Sequence, residues 1–242
     1  MTQNMFPYDS TLSATVQSAP QTINDVLSIM GTIDATCVDG DGLKWFNWLY
    51  LQVTQAVEQR VASGGFNDSA WLSQLDIHFA ALYFSALGAA LGSQPCPECW
   101  EAMFAVRNQA SIARIQFAFA GMNAHINHDL PFAIVAACQA TNTVPEHGTP
   151  QYNDYTAVNT TLDGLIDTAR QTLNVRLVGG ALPDVSHLAD LVAAWDIAAF
   201  REKAWQNAEG IWDDPAIGRA ILESSIDGIT AFASRALLVP AP

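Results

Sequence analysis

Basic residues are scarce in this chain. Lysine occurs only at Lys44 and Lys203, and ten Lys and Arg face twenty-four Asp and Glu, a formal charge of −14. Nucleic-acid binding draws on clustered cations that displace counterions from phosphates, so that class is excluded. Anionic membrane surfaces are disfavoured on the same ground. A small neutral or apolar substrate suits this balance better than a polyanion, although a local Arg can still hold one phosphate. Charge of either sign is also thin, at 14% of residues against roughly a quarter in ordinary globular chains. Much helical surface must therefore be buried against other helices, a ligand, or a second copy in a homo-oligomer. The sequence has no Gly-rich phosphate loop, no GxSxG elbow and no HExxH. The longest apolar run, Phe79 to Gly92, is interrupted by Ser85 and is too short to span a bilayer, so no membrane insertion is expected. The start, Met1 to Pro7, lacks the basic-then-apolar pattern of a secretory signal, and a cytoplasmic location is expected.

What is present is hydrophobic and helical in period. Half of the 242 residues are hydrophobic, enough for a substantial core. No alternating strand pattern and no repeat appears. The expectation is an all-α, single-domain multi-helix bundle around a central apolar helix pair, covering 21–242, with residues 1–20 as an N-terminal arm, partly disordered. Ile23, Val26, Leu27 and Met30 predict a helix over Thr22–Ile33. Asp39-Gly40-Asp41-Gly42 marks a turn and helix start; the next helix runs from Gly42 to Ser63 and stops at Gly64-Gly65. Asp68 or Ser69 caps a helix over 69–91 that is apolar on nearly all sides. From Cys99 to about Thr141 the pattern reads as one long helix or two in line, with a kink at Pro131, which crowds the carbonyl of Asn127. Further helices are expected over 153–173, 185–209 and after Pro215, with a loop over Val175–Pro183.

The chemistry concentrates in Asn123-Ala124-His125-Ile126-Asn127-His128-Asp129. At 100° per residue His125, His128, Asp129 and Phe132 share one helix face, while Asn123 and Asn127 lie opposite. Two imidazoles and a carboxylate are suitable donors for Zn, Fe or Mn. They equally suit acid–base work, the carboxylate fixing the tautomer of a neutral His. A third reading is that these groups only satisfy the backbone of a kinked helix. Their density inside an apolar helix favours function, because each buried polar group without a partner costs roughly 1–3 kcal/mol.

Other polar residues interrupt apolar helices. Asp76 can serve as an outer carboxylate or third ligand to the His125 helix; His78 reads as a packed core histidine. Asp154, Asn159 and Asp163 read as caps or a solvated face. Arg201 and Trp205, four apart, read as a structural stack. Cys96-Pro97-Glu98-Cys99 is a lone CxxC, compatible with half a zinc site, a redox pair or a disulfide. With no second CxxC, it reads as two loop cysteines before a helix.

The string from Gly121 to Pro131 resembles the central signature of the bacterial domain-of-unknown-function family 5995. Weaker likenesses extend from about 45 to 210: Val53 to Val57, Leu75-Asp76 with Phe79 and Tyr83-Phe84, Trp100, Val158-Asn159, and Trp195 through Arg201 to Trp205. The resemblance implies a helical domain sharing a site of Asp76, Asn123, His125, Asn127 and Asp129, and supplies no reaction; Cys96 and Cys99 are not part of its pattern. A weaker likeness is to metal-dependent phosphohydrolases named for a His-Asp doublet, with His78, His128-Asp129 and Asp163 or Asp167 in the corresponding roles. The Gly-Lys that follows their doublet is replaced here by Leu130-Pro131.

The expected function is an enzyme acting on a small, mostly apolar molecule, by hydrolysis or by cyclisation or isomerisation. His125 with Asp129 or Asp76 would move a proton, Asn123 or Asn127 would orient a carbonyl or hydroxyl, and Tyr83, Trp100, Phe132 and His128 would line the pocket. The alternatives are a metal-dependent hydrolase, with a divalent transition metal on His125, His128 and Asp129, and a non-catalytic binding or structural protein.

Overall fold

In the computed structural model, which describes residues 5–160, 162, 196–213 and 218–240, every regular element is helical. Three of the early helices start where side chains cap them. Thr22 and Asp25 form a reciprocal capping box at the start of α2 (Ile23–Thr36). Asp41 accepts the Leu43 N–H at the start of α3 (Gly42–Ala62). Asp68 accepts the Trp71 N–H at the start of α4 (Ser69–Leu91). Asp154 holds the turn before α4, taking the Asn67 and Asp68 backbone N–H groups at 2.9 and 2.6 Å. It is a clamp from another helix rather than a solvated residue.

Part of the segment expected to form an arm is helical. α1 (Asp9–Thr15) buries Leu12 completely and sends Asp9 into an ion-pair network with Arg107 and Asp41. The same network breaks the long helix expected from Cys99. α5 (Glu98–Phe104) ends early, and the backbone over 105–113 carries the buried Arg107 side chain to Asp9 and Asp41. The Arg107 carbonyl accepts the Gly42 N–H at 2.7 Å. These partners lie tens of residues away, so helical periodicity does not report them.

α6 (Arg114–Ala124) continues into a π-helical turn, His125–Asp129, and then α7 (Leu130–Thr141). The kink expected at Pro131 takes this form. In the wider turn Leu130 N–H bonds to the His125 carbonyl, and Pro131 falls in the first turn of α7, where a missing N–H costs nothing. Such π turns concentrate at functional sites.

α4 packs on α7 and, with the π-turn segment, forms the centre of the bundle; α3 packs on α6. Two glycines permit the second pairing: a methyl at Gly42 would collide with the Phe117 ring, and one at Gly121 with the Phe46 ring. The next helix spans 150–160 and is called α8; α9 is Ile197–Asp213 and α10 is Gly218–Leu237. α9 lies against α7 and the π turn, and α10 lies across α5 and α6. α4 is, among the described residues, the one helix long and apolar enough to cross a membrane. Here it is packed by α7, α1, α2 and α5. The expected Val175–Pro183 loop, together with Asp163, Asp167 and Trp195, lies outside the described residues.

Candidate functional site

Asp129 is the pivot of the π turn. Only 1% exposed, its carboxylate accepts from Trp100 Nε1 at 3.0 Å and His125 Nδ1 at 2.9 Å on one oxygen, and from His128 Nδ1 at 2.7 Å on the other. Burial alone would push this carboxyl up. The hydrogen bonds from the two imidazoles outweigh it and hold the group below the usual carboxylate range. An ionised carboxylate only accepts, so both histidines carry a proton on Nδ1. For a neutral ring, that leaves the lone pair on Nε2.

The two rings meet different surroundings. His125 is sandwiched among aromatics: Phe79 stacks on it with centroids 3.4 Å apart, and Tyr50 meets it edge-on at 4.5 Å. Burial drives its pKa below 6.5, overriding the opposing pull of Asp129, so at pH 7 the ring is neutral. Its Nε2 is sealed from solvent and has no partner. For His128 burial acts in the same direction, but Asp129, Asp227 and Glu223 overcome it and raise its pKa.

His125 lines a cavity of about 70 Å³, room for roughly five waters or a small organic group. The walls are largely apolar, with Leu49, Val53, Leu72, Leu75, Ile126 and Leu130 among them; the polar lining consists of Tyr50, Thr54, Asp76, His125 and Arg201. Three of these contribute buried atoms without a hydrogen-bond partner: Tyr50 Oη, Asp76 Oδ2 and His125 Nε2. Burial lifts Asp76 from 3.8 to about 7 even against the positive charge of Arg201. Arg201 is itself buried; it donates to Asn159 Oδ1 at 2.6 Å and to the Tyr155 carbonyl at 2.7 Å, and its guanidinium lies 4.0 Å from the Tyr155 ring centroid. The expected Arg201–Trp205 stack is replaced by this Tyr155 contact. Asn159 is thus a positioning partner rather than a cap.

Of the residues picked out from the sequence, His125 and Asp76 meet at one cavity, with Asp129 behind His125. The asparagines do not join them. Asn123 donates to the Thr230 carbonyl at 2.9 Å and Ser234 Oγ at 3.0 Å, and accepts from Asn127 at 2.9 Å. Both asparagines serve the α10 interface, away from the cavity. Tyr83, Trp100, Phe132 and His128 do not line it either. Tyr83 and Trp100 stack on each other behind His125, at 5.3 Å, and Phe132 packs on His128 at 5.7 Å. His78 is half-buried on α4 with Nε2 unpartnered and does not line the cavity. Tyr50 and Arg201 are the cavity residues that sequence reasoning missed. The available hint was a tyrosine and a buried arginine, each in a helix of apolar period.

His125, His128 and Asp129 do not form a convergent donor set, because the carboxylate sits between the rings and holds each by a hydrogen bond. Among the described residues the group whose ligand atoms do converge is Cys99, His128 and Asp227, all within 4.8 Å of one another.

Fold and site together define an all-α protein organised around a histidine-bearing π turn that borders an apolar cavity. Residues 23–240 match the model of a family of unknown function, DUF5995, and the chain belongs to that family. Neither a curated protein nor a solved structure matches it.

Proposed function

We propose that the chain is an enzyme that takes a small, mostly apolar molecule into the His125 cavity and moves a proton on it. The supporting observation is the convergence of three buried, unpartnered polar atoms on one apolar hollow. Native interiors leave few such groups unsatisfied, and a guest with matching polar atoms would supply their partners. His125 Nε2, neutral and oriented by Asp129, is the base. Asp76, near half-protonated at neutral pH, is the acid. The Tyr50 hydroxyl, beside Thr54, is placed to hold a carbonyl or hydroxyl of the guest. A base and an acid acting on different atoms of one guest suit isomerisation or cyclisation. Hydrolysis would additionally require a water seated at His125 Nε2.

The reaction can be tested with surrogate compounds in place of the natural substrate. Small apolar ketones and enones are incubated with the protein in D2O, and exchange of their α-protons is followed by NMR. The expected result is exchange into at least one bound compound, slowed by roughly 10²-fold or more in His125→Gln, with binding retained. Compounds that bind wild type and variant alike and exchange in neither would identify a non-catalytic binding protein.

A further inference from the structure

On the far side of Asp129 from His125 lies the second grouping. Cys99, on α5, is fully buried, and His128, on the π turn, is 5% exposed. Asp227, on α10, is half-buried, and its two oxygens accept the Glu98 and Cys99 backbone N–H groups at 2.9 Å each. Three helical elements thus bring one thiol, one imidazole and one carboxylate to a common point, each already oriented. Asp227 is steered by the start of α5, and His128 is held through Nδ1 by Asp129. A carboxylate on the rear nitrogen of a metal-binding histidine is the usual outer arrangement of a zinc site, fixing the ring and raising the basicity of the coordinating nitrogen.

We infer that Cys99, His128 and Asp227 bind one Zn2+ ion, with a water completing the tetrahedral set. Thiolate, imidazole and carboxylate are the zinc donor set, and their mixture with a soft sulfur disfavours Mg2+ and Ca2+. With Nδ1 committed to Asp129, Nε2 is the nitrogen His128 offers. Glu223 and Asp227 act on His128 from α10, an acidic surrounding that favours a dication. On binding, the Cys99 thiol releases its proton to solvent and a sulfur lone pair goes to the metal; no electron is transferred. One thiolate and one carboxylate leave the centre with no net charge. The ion would tie α5, the π turn and α10 together and is independent of the chemistry proposed for the cavity.

The experiment uses the full chain without an affinity tag, stripped with a chelator and titrated with Zn2+ against a chromophoric competitor. One equivalent is expected per chain. Co2+ in its place is expected to give thiolate-to-metal charge-transfer absorption, lost in Cys99→Ser. Asp227→Asn and His128→Gln each lower zinc affinity by roughly tenfold or more, while His125→Gln keeps one equivalent. Wild-type protein that takes up no stoichiometric zinc overturns the assignment, whatever the variants do. Zinc affinity unchanged in Cys99→Ser or in Asp227→Asn overturns it equally.

Discussion

His125 and His128 are three residues apart and share one carboxylate, but one has its pKa lowered and the other raised. Asp129 treats them alike, accepting from Nδ1 of each. Their surroundings differ. Around His125 lie Phe79, Tyr50 and an apolar cavity; around His128 lie Cys99, Asp227 and Glu223. Sequence spacing identifies the pair, but the environment of the remaining nitrogen determines what each can do.

The strongest way to break this comparison is to remove what the two share. Asp129→Ala leaves three buried donors, on Trp100, His125 and His128, without an acceptor. Chemical denaturation should show a loss on the order of 3–5 kcal/mol.

Next in size is a change of opposite sign. In the folded chain Asp76 holds its proton up to about pH 7, whereas an unfolded Asp loses it near 3.8. The folded state therefore binds more protons between these values. Asp76's contribution to stability is fully present below 3.8 and lost as pH rises through about 7. Asp76→Asn should be more stable than wild type by on the order of 4 kcal/mol at about pH 8, a gap that closes as pH falls. Melting curves across pH check this. The same titration gives turnover an alkaline limb near 7 that the variant lacks. The acidic limb lies below 6.5, where His125 takes up its proton.

Asn123→Ala tests the face opposite the cavity. It loses bonds to Thr230, Ser234 and Asn127, and about 1–3 kcal/mol of stability, with guest affinity unchanged in a binding titration. The smallest expected effect belongs to Trp100→Phe, which keeps a ring beside Tyr83 and drops one donor to Asp129, costing about 1 kcal/mol by the same denaturation.

The starts of α2, α3 and α4 were legible because Thr22, Asp41 and Asp68 are local caps, read directly from neighbouring residues. The break over 105–113 and the folding of α1 were not, since both depend on Arg107 meeting Asp9 and Asp41 across the fold. The site divides in the same way. The His125–Asp129 pair follows from a separation of four residues, and the opposite orientation of Asn123 and Asn127 follows from helical geometry. Tyr50, Arg201 and Asp227 arrive by packing of α3, α9 and α10, and no spacing in the chain connects them to His125 or His128.

The central claim is that His125 presents a neutral, unprotonated Nε2 to a cavity that accepts a guest. Imidazole 15N NMR of the histidine-labelled chain at neutral pH reads it directly. The expected result is the Nδ1-protonated neutral tautomer for His125, with the Nε2 resonance shifting when a small apolar carbonyl compound binds. An imidazolium, an Nε2–H tautomer, or an Nε2 resonance indifferent to every bound guest would contradict it.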